Sequence, residues 1–406
     1  MDTEKDRDHA AMRTLLSSVG APPGGHIMGS ALLADGRRIR RRRRSAASVA
    51  GVFVITAVAL GGYGVVDRTR DVPTVPAAEA SPPSAPCTVT ALGLPAKATS
   101  GAVNAGSPNG GYLAGFSSVG GSPPTPLRWD GTRAEPIGVA GSGEAQGVND
   151  DGVVVGNGQS AAGRSFAWAY ANGTVTELPI PTGWTGAEAN AVNARGDVAG
   201  TLFGPDRAAA VVWRNTGSTT RAEILDAPQA RAMAWGISDE GIVVGTLDDG
   251  RQPQPYRWDA HGKGQRLTTP AGYTGGAARG VRGDWAYGYA YRSTGTPTGT
   301  PPSRGTYRQQ PQEDADTAGL WNLRTGQFVA VAADGEVEDV SSGGATVVNR
   351  AGGGALLRGP DGVIRELPGL STTDTTAAYA RSDDGTRAAG VSAHTPVRWT
   401  CPRKGN

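Results

Sequence analysis

The chain has 406 residues, with 62 Gly, 28 Pro, 19% charged residues and a formal net charge of +2. Gly and Pro at this density exclude a coiled coil or a helical bundle. Nine Trp and ten Tyr argue for a packed core rather than a wholly disordered chain. The small net charge hides a division. Residues 1–44 carry ten Lys/Arg and five acids, a +5 arm, which leaves 29 basic and 32 acidic residues in the rest. The net charge therefore carries no argument for nucleic-acid binding by the folded part.

In chain order the first feature is the arm 1–44, which ends in Arg40–Arg44. Residues 45–66 follow, SAASVAGVFVITAVALGGYGVV, without one charge. At about 1.5 Å per residue they reach across a bilayer core of about 30 Å. Arg on the N-terminal flank predicts a single-pass transmembrane helix with the arm in the cytoplasm and the rest of the chain outside. The competing reading is a cleaved signal peptide. It would need an n-region of about 44 residues and an apolar run longer than the usual h-region. Residues 67–86, DRTRDVPTVPAAEASPPSAP, read as an extended stalk.

Beyond the stalk the sequence repeats itself. A short apolar run ends in Val/Ile-Asn/Ser, a polar turn leads to a Val-Val-Gly strand, and a variable loop leads to a strand bearing Trp. A Glu-Leu strand closes the unit. EAQGVNDDGVVVGNGQSAAGRSFAWAYANGTVTELPIP (144–181) is one clear copy. The first marker falls at Asn104, Asn149, Asn193, Ser238, Arg282, Ser341 and Ser382. The second falls at Gly115, Gly156, Gly200, Gly245, Gly288, Asn349 and Gly390. The third falls at Trp129, Trp168, Trp213, Trp258, Trp321, Arg358 and Trp399. Four short strands in about 40–45 residues predict a propeller blade, and seven copies predict a seven-bladed, all-β ring. The paired acids of NDDG, SDEG and SDDG read as turn residues rather than calcium loops, because no further oxygen ligands follow at fixed spacing.

The seventh copy stops after its third strand. CTVTALGLP at 87–95 resembles the missing fourth strand, so both termini are expected to build the last blade and close the ring over 87–401. Cys87 and Cys401, the only two cysteines, stand at its two ends. An extracytoplasmic location predicts that they pair. Residues 402–406 form a tail.

The blocks GVNDDGVVVG, FAWAY and TVTELP resemble the bacterial extracellular repeats of the HAF family. The resemblance implies an extracellular propeller-like domain and no particular activity. Arm, anchor and propeller in this order also look like actinobacterial membrane proteins, some of which are suspected partners of extracytoplasmic-function sigma factors. That resemblance implies a cytoplasmic regulator as a partner for residues 1–44.

Loops joining the fourth strand to the next first strand share one face with those joining the second and third. On that face the sequence places Trp184 and Tyr273 at matching positions, as exposed stacking platforms for a sugar or peptide. It also places Glu144, Glu188 and Glu336 five residues before the first marker, at one depth near the channel mouth, with Arg231 and Arg279 to neutralise them. An insertion at 293–317 lengthens the fifth repeat on the same face. Four scattered His, no nucleophile elbow and no strand-to-helix Gly motif leave no catalytic, metal, cofactor or nucleotide signature. The expectation is a membrane-anchored binding module for an envelope glycan, peptide or protein. A carbohydrate-active enzyme using channel carboxylates and a transmembrane sensor acting through the arm are its alternatives.

Overall fold

The computed structural model describes residues 86–217, 219–228, 231–250, 252–292, 317–332 and 335–403. The arm 1–44, the apolar segment 45–66, the stalk up to 85, the insertion up to 316 and residues 404–406 lie outside them. Among the described residues no helix is long and apolar enough to cross a membrane.

The described chain forms 28 short strands in seven four-stranded antiparallel sheets. Six sheets take four consecutive strands. The seventh is ordered β1-β28-β27-β26, so Thr88–Ala91 (β1) completes the blade that Thr395–Thr400 (β28) leaves open. Neighbouring sheets pack face to face, and Ser100–Gly106 (β2) of the first blade packs on the last. This is the seven-bladed propeller expected from the repeats. Cys87 and Cys401, both buried, are joined by a disulfide across the closing pair, with Cα atoms 4.2 Å apart.

Within each blade, strands a to d run from the channel outward. Connections b–c and d–a lie on one face, here the upper face, and a–b and c–d on the lower. All seven inner strands carry a β-bulge, at Asn104, Gln146, Asn190, Trp235, Arg279, Glu338 and Tyr379. The recurrent Gly of strand b stands beside the bulge for a steric reason. A Cβ on Gly200 would lie 1.9 Å from the carbonyl oxygen of Glu188, and one on Gly245 1.8 Å from that of Met233. Close approach also governs the ring centre. A Cβ on Gly236 would come within 2.7 Å of the Cα of Gly280 in the next blade.

The third marker acts between blades. Trp129, Trp213, Trp258, Trp321 and Trp399 are wholly buried. Each donates its indole N–H to a carbonyl just past strand d of the preceding blade: Gly93, Pro179, Asp226, Thr268 and Pro368, at 2.6–2.8 Å. A buried indole thus keeps its one donor satisfied while clamping two blades.

Three repeat markers need correction. In the first blade Ser107, not Asn104, follows the inner strand and takes the turn position of Asn149, its N–H reaching the Tyr112 carbonyl as that of Asn149 reaches Val153. Asn104 is the bulge residue three places earlier. In the sixth blade Val348, not Asn349, occupies the Gly position, because it pairs with Val337 before the bulge. In the second blade Trp168 pairs with Gly156, two residues out of step with the other Trp. Tyr170 takes the Trp position, donates to Glu135 and shares Arg128 with Tyr112 as cation–π partners at 5.2 and 5.4 Å. The hydrogen bond from Tyr170 holds the Glu135 carboxyl below its ordinary value, although burial pushes it up.

The turn acids serve the ring. Asp150, Asp239 and Asp383 accept the backbone N–H groups of Asn109, Ala194 and Ser342 in the preceding blade, at 2.8–3.1 Å. The turns NDDG, SDEG and SDDG themselves close where the Gly152, Gly241 and Gly385 N–H groups donate to the Asn149, Ser238 and Ser382 carbonyls.

Candidate binding site at the channel mouth

Side chains two residues apart on a strand share a side. Taking each bulge as a reference level, the positions two residues earlier form a second level nearer the upper face. Glu144, Glu188 and Glu336 stand there, on Ser142–Val148 (β6), Gly186–Val192 (β10) and Gly335–Val340 (β22). Glu144 and Glu188 are half-buried and Glu336 is exposed. The Gln146 amide lies 3.4 Å from the Glu144 carboxylate.

The two cations differ. Arg279 is the bulge residue of Gly275–Arg282 (β18). Its guanidinium lies over the Tyr289 ring at 5.2 Å. Burial works against its charge, yet Tyr289, Glu338 and Glu336 together hold its pKa above the ordinary value. Arg279 therefore balances carboxylates of the next blade. Arg231 opens Arg231–Ile237 (β14) one level nearer the mouth, across from Asp248. Its Nε is buried without a hydrogen-bond partner among the described residues.

Trp184 and Tyr273 occupy equivalent places two residues before the inner strands of blades three and five. They are half-buried, which corrects the expectation of exposed platforms. Arg207 covers the Trp184 ring at 4.2 Å and Arg292 the Tyr273 ring at 4.5 Å. The Arg207 guanidinium also donates to the Gly183 carbonyl at 2.7 Å. Each aromatic is thus one layer of a stack whose outer layer is a guanidinium.

The bulge level contains residues that the repeat pattern did not single out. Asn104 and Asn190 donate to the Ala145 and Ala234 carbonyls of the next blade, at 2.9 and 2.8 Å, and so act as stitches. Trp235 donates to the Thr246 hydroxyl at 3.2 Å. Glu338 and Tyr379 stand at the same level in blades six and seven. Burial, then Glu338 and Glu336, push the Tyr379 phenol well above its ordinary value. A cavity of about 20 Å³ lies between blades five and six, lined by Arg279, Tyr289, Glu336 and Val337 among others. Among the described residues no group of three or more His, Cys, Asp or Glu is arranged to hold a metal ion.

No family model and no curated protein matches the chain in sequence. Solved structures resemble it in shape. A catalytically inactive virginiamycin B lyase of Staphylococcus aureus with quinupristin aligns at 10% identity and a TM-score of 0.47, over 78% of this chain and 100% of that one. YCF48 bound to a D1 peptide aligns at 9% identity and 0.47, over 79% and 97%. The C-terminal WD40 domain of Sif2 aligns at 14% identity and 0.42, over 74% and 81%. At this level of likeness none of their ligands or activities transfers to this chain.

Proposed function

We propose that this chain is a membrane-anchored extracytoplasmic propeller that presents its upper face to an envelope glycan, peptide or protein. Residues 45–66 act as the anchor, 1–44 lie in the cytoplasm, and the repeats belong to the HAF type they resemble. One observation carries the reading of the face. The chain joins the ring at the lower end of β1, where Thr88 pairs with Thr400. Trp184, Tyr273 and the three glutamates all belong to the upper half. Entry of the chain at the lower rim favours the opposite face for a ligand, and a ring of rigid blades suits display of loops without turnover.

Protease added to intact cells tests the topology. The ring should be shed while a tag placed ahead of Arg44 stays protected, and digestion of the tag overturns the orientation. For the face, Trp184→Ala with Tyr273→Ala should weaken capture of a ligand found on envelope glycan and peptide arrays by about tenfold while leaving the melting temperature within a few degrees. Unchanged capture removes the upper loops from the proposal.

A further inference from the structure

Two arginines of the upper rim depart from what the repeat places elsewhere. Counted back from Tyr170 in blade two and Trp213 in blade three, Arg164 and Arg207 occupy one position, the last before strand c. Each lies over a ring, Arg164 over Phe166 at 5.6 Å and Arg207 over Trp184. Arg164 is also neutralised. Its two Nη groups donate to the two carboxylate oxygens of Glu177 on strand d, at 2.6 and 3.0 Å. Glu177 pairs with Trp168, two residues before Tyr170, and the residue paired two before Trp213 is Ile224. Ile224 is 47% exposed. Blade three thus keeps the cation and lacks the acid. Beyond its bond to Gly183, Arg207 has no polar partner among the described residues, and its exposed loop neighbour Asp206 does not pair with it.

Arg231 departs from the repeat in another way. Four residues before the bulge, blades one, two, three, five and seven carry Ser100, Ser142, Gly186, Gly275 and Thr375. Blade four carries a guanidinium there, with its Nε shut off from water and without an acceptor among the described residues. The acids nearest in the fold are engaged. Asp248 accepts the Gly250 N–H at 3.0 Å, and Asp249 is paired with Arg266 at 3.1 Å.

The two arginines flank one joint. At the upper end of blades one and two the Gly143 N–H donates to the Pro124 carbonyl, and at blades four and five the Gly276 N–H donates to the Pro253 carbonyl. The equivalent residues at blades three and four are Ala208 and Ala232, the sequence neighbours of Arg207 and Arg231. A cation that water serves poorly gains more from an anion than a hydrated one does, and the guanidinium fork matches a carboxylate.

We infer that the upper rim at blades three and four binds an acidic glycan, with Arg207 and Arg231 each receiving a carboxylate carried on a sugar ring. Trp184 is the rigid floor that aims Arg207. A peptide would draw on buried apolar anchors, which two planar cations do not supply. This rests on the reading of the ring as a binding module and narrows its ligand to an acid.

The test is calorimetric titration of the purified full chain with tri-galacturonate, with galactotriose as the neutral control. Saturable tri-galacturonate binding that weakens as salt rises is expected. Arg207→Gln should weaken it several-fold, and Arg207→Gln with Arg231→Gln by about tenfold or more, with an unchanged circular dichroism spectrum. Ile224→Glu, which gives blade three the acid that blade two has, should weaken it several-fold without touching either arginine. Arg164→Gln should leave it unaltered. Absence of saturable binding overturns the inference, as do equal binding of galactotriose, equal affinity in the double variant or an equal loss with Arg164→Gln. Tighter binding of tri-glutamate than of tri-galacturonate overturns the choice of a glycan. An array ligand whose capture needs Trp184 and Tyr273 but neither arginine leaves the binding module standing and overturns this inference alone.

Discussion

Blades two to four and blades five to seven solve the same packing problem with different chemistry. In the first group neutral amides cross between inner strands: Asn149 to Asn193, Asn193 to Ser238 and Asn190 to Ala234. In the second an ionic cluster ties the lower end, beside the Asn349 amide that meets the Ala378 backbone. Arg282 stands where other blades carry Asn or Ser, and its guanidinium lies 3.2 Å from Asp383 and 3.5 Å from Asp339. Asp339 is buried and also accepts the N–H groups of Val340 and Arg381, at 2.8 and 2.9 Å. Burial pushes its carboxyl upward against the pull of Arg282, and the Arg381 guanidinium is pushed downward by burial against the pull of Asp339. Amide stitches cost little to bury once satisfied. The ionic cluster carries a desolvation cost that only complete pairing offsets. Equivalent positions in a repeat thus need not share chemistry, provided each buried group finds its partner.

The contrast can be broken at several strengths. The largest effect should come from opening the ring in the ionic half. Cys87→Ser with Cys401→Ser frees a 314-residue loop and should lower unfolding free energy by about 5 kcal/mol in the chain-entropy model, read from denaturant melts. Asp339→Ala should cost about 3–5 kcal/mol, because in a buried site it leaves the Val340 and Arg381 N–H groups without an acceptor and Arg282 with only Asp383 as its carboxylate. Asn193→Ala should cost about 2 kcal/mol, since two backbone N–H groups and one carbonyl lose a neutral partner. An Asn193→Ala loss equal to that of Asp339→Ala would abolish the distinction between the two halves.

The smallest effect is one of pH. Burial alone would raise the Asp384 carboxyl, but hydrogen bonds from Ser382 and Thr386 and the charge of Arg403 bring it down to about 2. A depressed acid stabilises the fold above its unfolded value near 3.8 and loses that contribution as pH falls from there toward 2. Thermal melts should show a shallow decline over that window, worth less than about 1 kcal/mol because the group is half exposed, and Asp384→Asn should flatten it.

Blade number, the borrowed closing strand and the cysteine pairing were legible because Gly, Trp and the two Cys recur at positions fixed by sterics and topology. Register was less legible. A bulge adds one residue to a strand without a residue type of its own, so counting by twos loses the side beyond it. That is why Asn104 passed for the turn residue that is Ser107, and why Val348 was missed beside Asn349. Trp168 misled differently, since Tyr170 two places on fills the clamp position with a phenol instead of an indole. At the channel mouth the level of Glu144, Glu188 and Glu336 could be read from spacing alone. Trp235, Glu338 and Tyr379 could not, because only the bulge aligns them with Arg279. The guanidinium layers over Trp184 and Tyr273 come from Arg207 and Arg292, on a different loop from the rings they cover, and nothing in the repeat links the two.

The borrowed strand also sets an order of events during synthesis. β1 is among the first folded-domain residues to emerge, and the strand it pairs with, β28, is among the last. Until Trp399 and Cys401 arrive, Cys87 has no partner, and the first blade lacks the neighbour whose Gly93 carbonyl and Ala380 side chain it packs against. Six blades can form in sequence from local hairpins, but the ring becomes a ring only once β28 has been made. A nascent chain of this protein must therefore carry a reactive thiol and an unpaired edge while the intervening blades are made, and the disulfide records that the wait has ended.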